Sequence, residues 1–201
     1  MIGELPKILK VGDEFYPIET DYRNILVILL ACADPDLEPA QQLEIMMRRL
    51  YRDRFKEIPS DLWEEAASQA RWFIDCGQEA DEKKPSKKLM DWEQDERILF
   101  PAINKVAGYE TRSVPYLHWW TFAGYFMEIA EGTFSTVLGI RQKMAKGKRL
   151  EKWEQEFRRE NKDLCDLKTR YTAEEQAEID YWNKLLGWGA GRSLILYPEL
   201  R

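Results

Sequence analysis

Histidine is almost missing from this chain of 201 residues: His118 is the only one. That scarcity excludes whole classes of chemistry. A di-metal carboxylate site in a helical bundle draws on two Glu-x-x-His motifs, and a zinc-peptidase HExxH needs two histidines. Neither can be built here. Cysteine is scarce as well. Cys32, Cys76 and Cys165 are odd in number and far apart, so neither a disulfide framework nor a zinc site follows, and a reducing compartment is the simplest setting. There is no G-x-S-x-G turn. The glycine-rich run Gly187-Trp188-Gly189-Ala190-Gly191 follows a helical pattern instead of joining a strand to a helix, which is wrong for a phosphate loop. Long apolar runs are also lacking. Ile25 to Ala33 is the most apolar stretch and is far short of the roughly 20 residues that span a bilayer. The opening MIGELPKILKVGDEF has no long apolar segment of the signal-peptide kind. The expectation is a soluble, non-enzymatic protein with no cofactor, no metal and no membrane association.

Aromatic and charged residues are plentiful. Charged residues make up 33% of the chain, hydrophobic ones 44%, and the net charge is -6. This balance suits a helical protein with long solvated faces, and it disfavours general nucleic-acid affinity.

The pattern along the chain reads as mainly α, a multi-helix bundle with a short N-terminal β-hairpin. Residues 5–18 alternate weakly around Gly12-Asp13, which suits a tight hairpin turn. From Tyr22 the period lengthens to three and four. Thr20 is placed to cap this first helix, which looks buried over most of its circumference, and Asp34-Pro35 ends it. Pro39 opens a second helix bearing Leu43, Met46, Met47, Leu50 and Tyr51 on one face, with Pro59 as its breaker. Ser60 is placed to cap a third, with Gly77 past its end. Residues 78–88, QEADEKKPSKK, read as a charged linker. They divide residues 1–187, taken as a single helical domain, into an N-terminal subdomain (1–77) and a main helical part (89–187). Residues 91–107 look helical, kinked or split at Pro101. Pro115 opens an aromatic helix running to about Glu131, and Thr133 a further one ending near Gly147. A long polar helix is expected over 149–168. Thr172 starts another, closed by Gly187, and residues 188–201 form a tail.

The densest feature is Tyr116–Ala130, YLHWWTFAGYFMEIA. The three-and-four spacing of Trp119, Trp120, Ala123, Phe126, Met127 and Ala130 suits a core face, while Phe122 and Tyr125 broaden the apolar arc enough to invite a partner. His118 has no nucleophile beside it, and a hydrogen-bonded histidine in the first turn of a packed helix explains it better than pairing with Asp91 or Glu93. Asp91, Asp95 and Glu96 favour the dipole of the helix they open more than they favour magnesium. Arg141, Lys143, Lys146, Lys148 and Arg149 form a run with no acid between Glu131 and Glu151. It suits a helix C-terminus or a docking face for an acidic partner. Nucleic acid is the less favoured reading. The candidate protein-binding residues are therefore Trp119, Trp120, Phe122, Tyr125, Phe126 and this basic run.

The segments DWEQDERILFPAINKVAG (91–108), LHWWTFAGYFMEIAEGTFSTVLGIRQKMAKGKRL (117–150), EQEFRRENKDL (154–164) and IETDYRNILVIL (18–29) resemble the gene-product-fifteen family of tailed siphophages and Gram-positive prophages. HWWTF followed by IRxKxxKGK is the most distinctive part. The resemblance implies a tail-assembly chaperone in the cytoplasm of the bacterial host, absent from the mature virion. Its implied partners are the phage tape-measure protein and the major tail (tail-tube) protein, with an upstream tail-assembly chaperone and a homo-oligomer also compatible. The alternative is a structural tail-completion or connector component of the virion. The resemblance carries over no catalytic residues.

Overall fold

The computed structural model describes residues 3–78, 87–168 and 171–185. The chain opens with an antiparallel hairpin, β1 (Ile8–Val11) and β2 (Glu14–Pro17), in which Leu9 pairs with Tyr16 and Val11 with Glu14. Gly12 takes φ 60° at the first turn position, which a residue with a Cβ adopts only under strain. An added Cβ there would also stand 2.9 Å from Leu62. Leu9, Val11 and Tyr16 are buried against the helices.

Among the described residues the helices are α1 (Tyr22–Cys32), α2 (Pro39–Tyr51), α3 (Trp63–Ile74), α4 (Glu96–Ala107), α5 (Trp119–Met127), α6 (Thr133–Ala145), α7 (Lys152–Glu160), α8 (Lys162–Cys165) and α9 (Ala173–Leu185). The mainly helical architecture with an N-terminal hairpin is as the periodicity leads one to expect. Several boundaries differ, each for a local reason. Asp21, not Thr20, caps α1, accepting from the Arg23 N–H at 2.9 Å. Thr20 is buried instead, with its hydroxyl 2.7 Å from the Tyr116 hydroxyl. Only Tyr22, Ile25 and Ile28 of α1 are buried, while Val27 is exposed.

Pro39 does open α2, but the helix stops at Tyr51, well before Pro59, where Arg52 takes φ 51° and a 3₁₀ turn follows. Ser60 begins another 3₁₀ turn and caps nothing by its side chain, so α3 starts at Trp63. Trp92–Asp95 is turn, and α4 begins only at Glu96. It contains Pro101 without splitting, and Gly108 closes it at φ 79°. Pro115 lies outside α5. Thr133 is the first residue of α6, after a Gly132 N-cap. The long polar helix over 149–168 is two pieces, broken at Asn161. Thr172 does form a reciprocal cap with Glu175 at the start of α9. Most of the 78–88 linker, Gly187 and the 188–201 tail lie outside the described residues.

The main core draws on both sides of that linker. Tyr22 of α1 stacks on Phe122 of α5, with ring centroids 4.2 Å apart and planes 10° from parallel. Phe100 of α4 and Trp119 each sit 6.0 Å from the same ring. Each such aromatic pair adds about 0.5–1.5 kcal/mol beyond the area it buries. The starts of α1 and α5 are also stitched as a short antiparallel bridge: Tyr22 N–H donates to the Leu117 carbonyl at 3.0 Å, and Trp119 N–H to the Thr20 carbonyl at 2.7 Å. A second, smaller core joins Val137, Ile140 and Cys165.

Candidate partner-binding surfaces

The HWW triplet acts as a bracket between helices. His118 is the N-cap of α5: its Nδ1 accepts from the Trp120 N–H at 3.1 Å, and its Nε2 lies 2.9 Å from the Pro6 carbonyl. A carbonyl only accepts, so Nε2 carries the proton and the ring is neutral. Burial pushes the His118 pKa below 6.5, and Lys7 adds to the effect against the Pro6 hydrogen bond. Neither Asp91 nor Glu93 is among these partners.

The two indoles then satisfy the C-terminal carbonyls of α3. Trp119 Nε1 donates to Ile74 at 2.8 Å and Trp120 Nε1 to Phe73 at 2.8 Å. Those carbonyls belong to the last helical turn, which lacks i+4 donors; that of Phe73 also accepts from the Cys76 N–H at 3.1 Å. Gly77, at φ 81°, lets the chain pass the Trp120 ring, since a Cβ there would sit 3.1 Å from it. Trp119 and Phe122 thus lie inside the fold, not on a contact face, while Trp120, Tyr125 and Phe126 are half-buried and pack against the core.

The basic run is likewise divided by the structure. Arg141 is buried with Asp95, the two side chains only 4% and 1% exposed. The guanidinium meets both carboxylate oxygens at 2.7 Å and donates further to the carbonyls of Leu89, Cys165 and Leu164. All five of its donors are occupied. It therefore clamps α6 to the start of α4 and to α8, and it is removed from any docking face. Asp95 is thereby engaged with a cation of its own chain. Lys143 pairs with the buried Glu154 at 2.8 Å. Lys146, Lys148 and Arg149 remain exposed.

What sequence reading missed is a groove of about 400 Å³ between α4 and the α5–α6 connection. Ile98, Pro101, Ala102 and Val106 form one wall, Ile129 and Phe134 the other. Arg97, Lys105 and Glu131 put charge at its edges. Pro101 has no N–H, so the Arg97 carbonyl lacks its helical donor on this wall. The signal was present in the chain: Ile98, Ala102 and Val106 recur every four residues beside the core stripe of Leu99, Phe100 and Ile103. The second stripe is only partly covered: Ile98 and Ala102 also pack against the core, and the surface they keep faces the groove.

The profile of the family described as Bacteriophage Gp15 protein matches residues 1–167. The chain belongs to that family. It is a phage-related protein, and the match runs from the hairpin through α8, taking in the HWW bracket, the Asp95–Arg141 clamp and the groove. Comparison with curated proteins and with solved structures returns no match. Among the described residues of this family member, no group of three or more His, Cys, Asp or Glu is placed to hold a metal. None of the described helices is long and apolar enough to cross a membrane.

Proposed function

We propose that this chain is a non-enzymatic tail-assembly chaperone that takes apolar helices of the tape-measure protein into the α4 groove and recruits tail-tube subunits through a second surface. It works in the host cytoplasm and is absent from the mature virion. The observation that carries the reading is the groove itself. Its walls are apolar, its edges bear Arg97, Lys105 and Glu131, and its length follows α4 from Ile98 to Val106, a little over two turns. That is the shape and chemistry of a helix-in-groove site, where an amphipathic helix lays its apolar face between walls of this kind. Family membership supports the phage setting.

Co-expression with the cognate tape-measure protein is the direct test. The chaperone should co-purify with it and raise its soluble fraction. Val106→Arg, at a half-buried groove position outside both core clusters, should abolish both effects with a melting temperature close to the parent's. Absence of co-purification, or a fully competent groove variant, overturns the proposal. Stoichiometric recovery in purified particles would replace it with a tail-completion or connector component.

A further inference from the structure

A second concavity, of about 430 Å³, lies where α2 ends. Its lining carries the cations Arg48, Arg49, Arg52 and Lys56 against one acid, Asp53. Cations at a helix C-terminus often serve the helix itself, by complementing its dipole and bonding its last carbonyls. Here those carbonyls have other donors. The Arg48 carbonyl accepts from the Arg52 N–H, that of Arg49 from the Asn24 amide at 3.1 Å, and that of Leu50 from the Glu19 N–H at 2.8 Å. The side-chain charges are left for something else.

Two of them are already matched to carboxylates of this chain: Arg48 to Glu44 at 2.7 Å, and Arg52 to Glu19. Arg49 and Lys56 have no ion-pair partner among the described residues. Arg52 is also held at φ 51°, ψ −131°, a conformation costly for a residue with a Cβ and one that persists only where surrounding structure imposes it.

We propose that this pocket docks an acidic peptide segment of a partner protein, whose carboxylates pair with Arg49 and Lys56. The alternation of Glu44–Arg48 and Glu19–Arg52 amounts to a carboxylate–cation ladder with two acids missing, and a carboxylate peptide supplies them in kind. The cations come from the end of α2 and the 3₁₀ turn beyond it, and all of them line the one concavity. The binding is electrostatic and exposed, so it weakens with salt. It is independent of the α4 groove.

The test is fluorescence anisotropy of a labelled oligo-glutamate peptide with the full chain at low ionic strength. Binding should weaken at least about tenfold when salt is raised from about 0.01 M to about 0.3 M, which shortens the Debye length from about 30 Å to about 6 Å. Arg49 and Lys56 are exposed, so the double variant R49E/K56E should melt as the parent does and lose the peptide. K146E/K148E, in the other basic stretch, and the groove variant V106R should keep it. The proposal is overturned by absence of binding, by retention in R49E/K56E, or by tripolyphosphate or a single-stranded oligonucleotide displacing the peptide at a lower charge concentration than free oligo-glutamate does.

Discussion

Cutting the Asp95–Arg141 clamp from one side should damage the fold far more than its place in a basic surface run suggests. Both ions are withdrawn from water, at 1% and 4% exposure. Removing either partner leaves the other as a buried, uncompensated charge, at a cost of about 3–5 kcal/mol. Arg141→Met strips Asp95 of both guanidinium contacts and leaves it the Asp91 N–H at 3.0 Å. It also takes a donor from each of the Leu89, Leu164 and Cys165 carbonyls. Asp95→Leu leaves a buried guanidinium among carbonyls alone. For a chain of this size each kcal/mol moves the melting temperature by about 2–4 °C, so each single variant should lose about 6–20 °C. The double variant D95L/R141M has no charge left to strand, and apolar replacement of a buried pair is often close to neutral. It should therefore be several kcal/mol better than the sum of the singles, as a double-mutant cycle in urea would show. Arg97–Asp163 is the internal comparison: both side chains are largely exposed, at 64% and 67%, and Asp163→Ala should cost less than about 1 kcal/mol. Additive single variants, or singles no worse than Asp163→Ala, would refute the reasoning.

Trp119→Ala should cost about 3–5 kcal/mol by urea denaturation, since the ring is buried, whereas Trp119→Phe, losing mainly the bond to the Ile74 carbonyl, should cost about 1–3. An unchanged midpoint with lost partner binding would instead assign Trp119 to an interface. Gly77→Ala should destabilise by more than about 1 kcal/mol, because φ 81° and the Trp120 ring at 3.1 Å both oppose a Cβ. Stability should also fall as pH drops below about 6.5 through His118. Burial lowers its folded pKa below 6.5, so the unfolded chain takes the proton first. The contribution is whole above the unfolded value and lost as pH falls through the folded one. His118→Asn, which keeps a capping side chain, should flatten that segment of the urea midpoint profile.

The chain's local chemistry was largely readable where a single residue type carries the signal. Gly12 marked the hairpin, Pro39 the start of α2, Gly108 the end of α4 and Thr172 the start of α9, because each answers to a constraint set within a few residues. Boundaries set by distant partners were not readable. Thr20 has the chemistry of a cap, yet it bonds Tyr116 while Asp21 does the capping, and α2 stops at Tyr51 with no breaker in sight. The aromatic run was legible as core. That its two indoles would close the end of α3 was not, since α3 lies more than forty residues away in sequence.

Charge is where the two levels part most sharply. Arg141, Lys143, Lys146, Lys148 and Arg149 are alike as letters, and their spacing alone makes them one patch. The tertiary structure divides them, burying Arg141, pairing Lys143 and leaving the rest to solvent. The physical reason is range. Helix periodicity, caps and turns depend on neighbours along the chain, so the sequence by itself determines the elements and their apolar faces. The partner of a charge, or the second stripe of α4 that becomes a groove wall, depends on which elements meet in space, and only the packed chain decides that.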